Sequence, residues 1–220
     1  MSRLVIFDTG DTAQVASVYL RQHSDHEVVA YVVDRKFLVE PQFLGRPVIA
    51  WDELPTRFPP GNVLLLGPLS VRRMNQFRKE RFLEGKALGY EFASFVHPSV
   101  ERLEVSMGEN CFVFGGVIIE PFARLGDNVI VWSNAHIGHH AMIENHCFIG
   151  PGAGVGGYCV IGEGSFLGPK ADVAPRVRVG RDCFLAQRSA ISEDAADGGV
   201  YIRASSLRSD IHSSRMARLL

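Results

Sequence analysis

The chain has 220 residues, of which 46% are hydrophobic and 21% are charged, and its formal net charge is −1. This composition predicts a globular protein with enough apolar residues for a core, in one large domain or two small ones. The near-balance of charge gives no global field favouring nucleic acid or an anionic membrane, and no apolar stretch approaches the length that spans a bilayer.

The first 96 residues alternate between strand-like and helix-like segments. A helix with one apolar side is predicted from residue 12 to about 22, after a glycine turn, and a charged helix from 71 to about 88. Short apolar runs predict strands at 4–7, 28–33, 47–50 and 63–66. This βαβ alternation predicts a small parallel sheet with ligands near the carboxyl ends of its strands.

From residue 107 the hydrophobic pattern changes to a period of six. A large aliphatic residue recurs from Met107 to Ile191, and a small or β-branched residue follows four positions after each, from Cys111 to Ala195. This pattern is typical of the hexapeptide β-helix, in which three six-residue units make one triangular coil. Fifteen units predict five coils from 107 to about 196, in which residues eighteen apart stack at a strand spacing of about 4.7–4.9 Å.

The cysteines fit the same repeat. All four occupy the small inward position, and no two have CxxC spacing; they are Cys111, Cys147, Cys159 and Cys183. We interpret them as small buried hydrophobic residues rather than as zinc ligands or a nucleophile. A reduced, cytoplasmic setting is expected to follow.

Histidines are concentrated once, in the middle coils, where His136, His139, His140 and His146 lie within eleven residues. The register stacks a glycine-rich stretch beside them, with Gly154 above His136, Gly156 above Gly138 and Gly157 above His139. A groove with exposed backbone is expected there. On the next column Phe122, His140 and Tyr158 are predicted to stack. The alternative is that the histidines decorate a solvated outer face.

Two chemistries can use such a cluster. In the gamma-class carbonic anhydrases, which share the repeat, zinc binding would require histidines five residues apart, and no two here have that spacing. We therefore expect no metal site. General-base chemistry needs one histidine that titrates near neutral pH beside an attacking amine or hydroxyl, and this cluster can supply it.

A group of basic residues follows. Lys170 and Arg188 are eighteen apart and are predicted to stack, with Arg176, Arg178 and Arg181 close by. Such a patch would suit phosphates. Solubilising charges on an outer face are an equal alternative.

The hexads, together with the stretch Asn-Ala-His-Ile-Gly-His-His at 134–140, resemble the bacterial nucleotide-sugar acetyltransferases of the left-handed β-helix hexapeptide family, often grouped with sialic-acid O-acetyltransferases. The resemblance covers nearly the whole chain. It implies a Rossmann-like domain over 1–96, a left-handed β-helix over 97–200 and a tail over 201–220. It also implies a cytoplasmic homotrimer that acetylates a nucleotide-linked amino sugar with acetyl-CoA, for a surface glycan such as lipopolysaccharide O-antigen.

The same resemblance implies roles for individual residues. His139 would be the general base, Glu120 is a candidate to orient it, and a glycine N–H would hold the oxyanion of the tetrahedral intermediate. The CoA residues would be Gly156, Gly157, Lys170, Arg176 and Arg188, and the groove would lie between two subunits. The nucleotide sugar would contact Gly10, Asp11, Thr12, Asp34, Gly67, Arg72, Asn134 and His140.

The chain departs from the family pattern at four places. Thr12 stands where a histidine is common, Pro68 where an asparagine is usual, and His140 where a carboxylate commonly follows the base. A C-terminal Gly-x-Pro-Ala motif is replaced at 203–206. The acceptor is therefore left open between an amine and a hydroxyl. A non-catalytic subunit that binds a nucleotide sugar is the alternative of another class.

Overall fold

A computed structural model describes residues 2–203. Its N-terminal part is an α/β domain with strands β1 (Arg3–Phe7), β2 (Glu27–Val33), β3 (Gln42–Phe43), β4 (Arg46–Ala50) and β5 (Leu64–Leu66). The helices are α1 (Asp11–His23), α2 (Leu54–Arg57) and α3 (Gln76–Ala87). The sheet has the order β3-β4-β2-β1-β5 and is parallel except for the edge pair β3 and β4. The predicted parallel sheet and first helix are confirmed.

The charged helix begins later than predicted. The segment before α3 turns through three left-handed residues, Arg73, Met74 and Asn75, with φ of +50°, +51° and +68°. A right-handed helix does not pass through such backbone angles. The prediction that it starts near residue 71 was therefore wrong, because the apolar and charged pattern continues through a turn that only the backbone angles reveal.

The C-terminal part is a parallel coil of short strands, consistent with a left-handed β-helix. It begins with β6 (Phe95–Val96) and ends with β22 (Val200–Tyr201). Between them lie β7 (Ser106–Met107), β8 (Phe112–Val113), β9 (Ile118–Ile119), β10 (Arg124–Leu125), β11 (Ile130–Val131), β12 (His136–Ile137), β13 (Met142–Ile143), β14 (Phe148–Ile149), β15 (Gly154–Val155), β16 (Val160–Ile161), β17 (Phe166–Leu167), β18 (Asp172–Val173), β19 (Arg178–Val179), β20 (Phe184–Leu185) and β21 (Ala190–Ile191).

These strands form the three sides of a triangular coil. The covered sheet contains β6, β8, β11, β14, β17, β20 and β22; the histidine sheet contains β9, β12, β15, β18 and β21; the third sheet contains β7, β10, β13, β16 and β19. From β7 to β21 every pairing between strands joins residues eighteen apart, as in Leu125 with Ile143. The predicted register is confirmed over these strands. The last hexad departs from this register, since Ala195 pairs with Val179, sixteen residues earlier. At the ends β6 pairs with β8 and β22 with β20, so the ladder already includes residues 95 and 96 of the predicted first domain.

The interior of the coil is filled as the repeat predicts. The recurring aliphatic and small residues form one buried cluster, and all four cysteines are buried and free. Burial raises the pKa of Cys147 to about 12 and that of Cys111 to about 11, so both remain thiols at neutral pH. The interpretation of the cysteines as small core residues is confirmed.

Each corner from the first hexad to the one at Leu185 is turned by one left-handed residue, which lies three positions after the large aliphatic. Their φ angles fall between +50° and +75°. We name the three columns the docking corner (Asn110, Asn128, His146, Gly164 and Asp182), the basic corner (Gly116, Asn134, Gly152, Lys170 and Arg188) and the histidine corner (Phe122, His140, Tyr158 and Arg176). The histidine corner lies between the histidine sheet and the third sheet, opposite the covered sheet.

The N-terminal domain packs on the covered sheet. Helix α1 and the end of β5 share one buried cluster with the outward aromatic residues of that sheet, among them Phe112 and Phe148. Trp132 stacks on Phe114 with ring centroids 4.2 Å apart. Both Trp132 and Phe148 therefore serve this interface. Within residues 2–203 no helix has the length and apolarity to cross a membrane.

Polar contacts from the end of the domain fix it to the docking corner. Arg78 on α3 is fully buried and donates to the main-chain carbonyls of Asn128, His146 and Cys147. The Asn75 side chain donates to the carbonyl of Gly164 at 3.0 Å. Main-chain carbonyls at and beside the docking corner thus accept hydrogen bonds from α3 and from the residue before it.

His146 belongs to this interface rather than to the histidine cluster. It is only 4% exposed, and the Asn128 amide donates to its Nδ1 at 2.8 Å. Burial, reinforced by the charge of Arg78, lowers the pKa of His146 to about 4. Its predicted grouping with the other histidines was wrong, because six residues after His140 the chain has reached the next corner.

This low pKa makes interface stability depend on pH. The unfolded chain binds a proton at His146 near pH 6.5, whereas the folded chain does not until about pH 4. The stabilisation is therefore complete above pH 6.5 and is lost as the pH falls towards 4, by up to about 3 kcal/mol. Urea denaturation of the wild type and His146→Asn should give free-energy profiles that converge as the pH falls through this window. Parallel profiles would contradict the assignment. His23→Asn, at an exposed site on α1 beside His97, controls for the removal of an exposed histidine.

Candidate active site

Three of the four clustered histidines meet at and beside the histidine corner. His136 lies on β12, paired with Gly154 of β15, and His139 and His140 follow at the corner itself. The two corner residues are exposed, and His136 is partly buried. The predicted stack of Gly154 above His136 is confirmed, so the histidines lie beside the glycine-rich stretch.

Glu120 connects the two parts of the cluster. Its Oε1 lies 3.0 Å from Nε2 of His136, and its Oε2 accepts the main-chain N–H of His139 at 2.7 Å. The hydrogen bond from His136, followed by that from His139, lowers the pKa of Glu120, which is therefore a carboxylate at neutral pH. Glu120 therefore holds the backbone of His139 and the ring of His136, and its contact with the predicted base is to the main chain rather than to the ring.

The His139 ring instead contacts its sequence neighbour. Nδ1 of His139 lies 3.2 Å from Nδ1 of His140, and the Tyr158 ring meets the His139 ring edge-on at 5.1 Å. Nε2 of His139 points to the next coil, where a Cβ on Gly157 would lie only 2.8 Å from it. Glycine at 157 therefore leaves the space beside Nε2 open.

An aromatic column extends along the corner. The His140 ring lies between Phe122, at 4.8 Å, and Tyr158, at 4.6 Å and nearly parallel. The guanidinium of Arg176 covers the Tyr158 ring at 4.6 Å. The predicted stack of the three rings is confirmed. Arg176 extends it by one coil and brings a positive charge to the histidine corner.

One backbone N–H of the glycine-rich stretch is open. The N–H groups of Gly154 and Gly156 donate to the carbonyls of Ala171 and Val173, whereas that of Gly157 donates to no group in residues 2–203. At the equivalent place in two other coils, a carboxylate nineteen residues earlier accepts this N–H: Glu120 for His139, and Glu144 for Glu163. The residue nineteen before Gly157 is Gly138, which has no side chain. Sequence reasoning expected a glycine N–H to hold the oxyanion but did not single out Gly157, for which the glycine at 138 was the signal.

The predicted basic patch is distributed around the coil: Arg178 lies on β19 of the third sheet, and Arg181 adjoins Asp182 of the docking corner. Lys170 and Arg188 stack on the basic corner, whereas Arg176 lies on the histidine corner. Asn134 likewise lies on the basic corner, one side of the triangle away from His140. The physical reason is that six residues advance the chain by a whole side, so residues close in sequence are distributed around the coil.

The candidate nucleotide residues lie at one edge of the N-terminal sheet. Gly10, Asp11 and Thr12 follow β1, and the Asp8 carboxylate accepts the N–H groups of Thr9 and Gly10 at 2.7 and 3.0 Å. Asp34 and Gly67 follow β2 and β5, the two neighbours of β1, so all share its carboxyl edge.

Three of these residues already have partners within the chain. The Asp34 carboxylate is 2.8 Å from the guanidinium of Arg81, and the Gly67 N–H donates to Asn110 at 2.8 Å. The Arg72 guanidinium lies over the rings of Phe37 and Phe77, at 5.1 and 5.0 Å. Asp34 is therefore an ion-pair partner, and Gly67 fixes this edge of the sheet to the docking corner. Across residues 2–203, no three side chains of His, Cys, Asp or Glu are grouped as metal ligands.

The chain thus combines an α/β domain with a docked coil of hexads that carries two contacting histidines at an outer corner. The family model of the bacterial transferase hexapeptide (six repeats) matches residues 104–139 and 122–157. No curated protein sequence matches significantly.

Solved structures match over nearly the whole chain. PerB from Caulobacter crescentus, in complex with CoA and GDP-perosamine, is 26% identical with a TM-score of 0.80, over 91% of this chain and 93% of that one. The acetyltransferase domain of PglB from Neisseria gonorrhoeae, in complex with acetyl coenzyme A, is 22% identical with a TM-score of 0.78, over 90% and 95%. WeeI from Acinetobacter baumannii shares the fold at 14% identity and a TM-score of 0.70, over 91% and 96%. The predicted resemblance to the hexapeptide-repeat sugar acetyltransferases is confirmed.

Proposed function

We propose that this chain transfers an acetyl group from acetyl-CoA to the amino group of a nucleotide-linked sugar. The observation that carries the proposal is that Nε2 of His139 lies beside Gly157, whose N–H is free of partners in the described residues, at the histidine corner. The similarity to perosamine N-acetyltransferase, which was solved with CoA and GDP-perosamine, supports it. Two of those structures are of variants in which one histidine is replaced, by asparagine or by alanine.

The chemistry would use both groups. Nε2 of His139 takes a proton from the sugar amine while the amine nitrogen attacks the thioester carbonyl carbon. A C–N bond forms, and the N–H of Gly157 donates to the oxyanion that develops. The intermediate then collapses and the C–S bond breaks. The leaving CoA sulfur takes the proton from the His139 imidazolium, so the products are an acetamido sugar and the CoA thiol.

The position of the histidine corner supports a site shared between subunits. The chain's own N-terminal domain covers the opposite side of the triangle. The sheet edge that carries the candidate nucleotide residues therefore adjoins the docking corner. The two uncovered sheets and their shared corner expose apolar side chains, with Ile118, Met142 and Phe122 at 59%, 39% and 51%. We therefore retain the homotrimer as a proposal, in which one chain's nucleotide sugar meets the next chain's His139.

The placement of the basic residues refines the CoA proposal. Arg176, beside Tyr158, is on the same corner as His139 and would meet the CoA phosphates most directly. Lys170 and Arg188, on the basic corner, would contact another part of CoA or none. The cytoplasmic setting and the role in O-antigen synthesis remain predictions.

The proposal is tested by the release of free CoA thiol from acetyl-CoA in the presence of UDP-, dTDP- and GDP-linked amino sugars. We expect release with at least one of them, and none with the matched nucleotide sugar that has a hydroxyl in place of the amine. Release with the hydroxyl sugar alone would replace N-acylation by O-acylation. Absence of both release and acetyl-CoA binding would overturn the acyltransferase in favour of a non-catalytic binding subunit.

A further inference from the structure

We propose that His140 is the positioning residue of this site, holding His139 in the tautomer that can act as a base. The inference rests on the proposed function of His139. Its starting observation is the 3.2 Å contact between the two Nδ1 atoms.

A contact between two imidazole nitrogens constrains both rings. One nitrogen must carry a hydrogen and the other must present a lone pair. If His139 donates from Nδ1, its Nε2 is unprotonated and faces the space beside Gly157, ready to accept a proton. The reverse arrangement puts the hydrogen on Nε2 of His139 and abolishes the base. His140 therefore supports catalysis only as a neutral acceptor at Nδ1.

The surroundings hold His140 in a position to accept. Its ring is stacked between Phe122 and Tyr158, and its backbone is at the left-handed corner with φ of +59°. Stacking on both faces restricts rotation of the ring, so Nδ1 stays directed towards His139. Glu120 fixes the main chain of His139, so the tautomer of the His139 ring is what its contact with His140 can determine.

Two substitutions separate positioning from stacking. The chain itself uses both replacement residues at equivalent left-handed corners, asparagine at 128 and 134 and phenylalanine at 122, so neither strains the backbone. His140→Asn keeps an acceptor oxygen and loses the stack, whereas His140→Phe keeps the stack and loses the acceptor. We expect His140→Asn to retain kcat within a few-fold. We expect His140→Phe to lower kcat by roughly 10-fold to 100-fold, with little change in KM.

The opposite ranking, with an active His140→Phe and an impaired His140→Asn, would reduce His140 to a packing residue. A readout independent of turnover uses the imidazole ¹⁵N chemical shifts of His139. These should report the Nδ1–H tautomer in the wild type and in His140→Asn, but not in His140→Phe. A His139 tautomer that is the same in all three proteins would overturn the inference even if acyl transfer is observed. Conversely, a tautomer change without acyl transfer would retain the pairing and reject the proposed function.

Discussion

Replacement of His139 by asparagine is expected to lower kcat/KM for acyl transfer by about 10²–10⁴-fold. Asparagine cannot take the amine proton, while the groove, the open N–H of Gly157 and the aromatic column of His140 remain in place. The loss should therefore fall on kcat, and the affinity for the nucleotide sugar should change little. Initial rates of thiol release, together with calorimetric titration of the nucleotide sugar, measure the two quantities separately.

The matched control is again His23→Asn, at an exposed position on α1 distant from the histidine corner. It should turn over as the wild type does, and both variants should unfold at the wild-type temperature. If His139→Asn keeps full turnover, the general base is a different group and the proposed mechanism is wrong. If it loses nucleotide-sugar affinity in proportion to rate, His139 binds the substrate rather than deprotonating it.

Replacement of Arg78 by alanine is expected to lower the free energy of unfolding by about 3–5 kcal/mol. The side chain is fully buried, and its removal leaves the carbonyls of Asn128, His146 and Cys147 without that donor in a dry interface. It also leaves a cavity between α3 and the docking corner. Urea denaturation at neutral pH, followed by circular dichroism and by tryptophan fluorescence, measures the loss.

Arg78→Met separates the two contributions, because methionine fills much of the volume without donating. Burial lowers the pKa of Arg78 to about 10, so the guanidinium is costly to desolvate. Methionine avoids this cost and should destabilise the protein less than alanine does. Arg57→Ala, at an exposed arginine, should change the free energy by less than about 0.5 kcal/mol. Wild-type stability in Arg78→Ala would show that the interface does not depend on this residue.

Much of the coil could be predicted because its pattern is redundant. Every hexad must fill the same cross-section, so an aliphatic residue recurs from Met107 to Ile191. Each further repeat supports the register inferred from the others. The start of α3 has no such repeating pattern. The left-handed turn at Asn75 depends on local backbone angles, which the pattern of charged residues does not indicate. The sequence did carry a signal for the covered sheet. Phe112, Phe148 and Phe166 each directly precede the large aliphatic, at spacings that are multiples of eighteen residues.

The candidate site could be predicted at the level of columns but not of contacts. The eighteen-residue register placed Tyr158 on His140 and Gly157 on His139, because stacking in a parallel coil is geometric. The partner of the His139 ring depends on side-chain rotation, which the register does not specify. Glu120 and His140 were both within reach, and the structure selects the latter for the ring and the former for the backbone.

The triangular coil also restricts how a protein of this kind can change in length. An insertion of eighteen residues adds one complete coil and leaves every earlier and later residue on the same side of the triangle. An insertion of six turns all that follows onto the next face, which would move Tyr158 and Arg176 away from His140. An insertion therefore keeps the sides of the triangle in register only if its length is a whole number of coils.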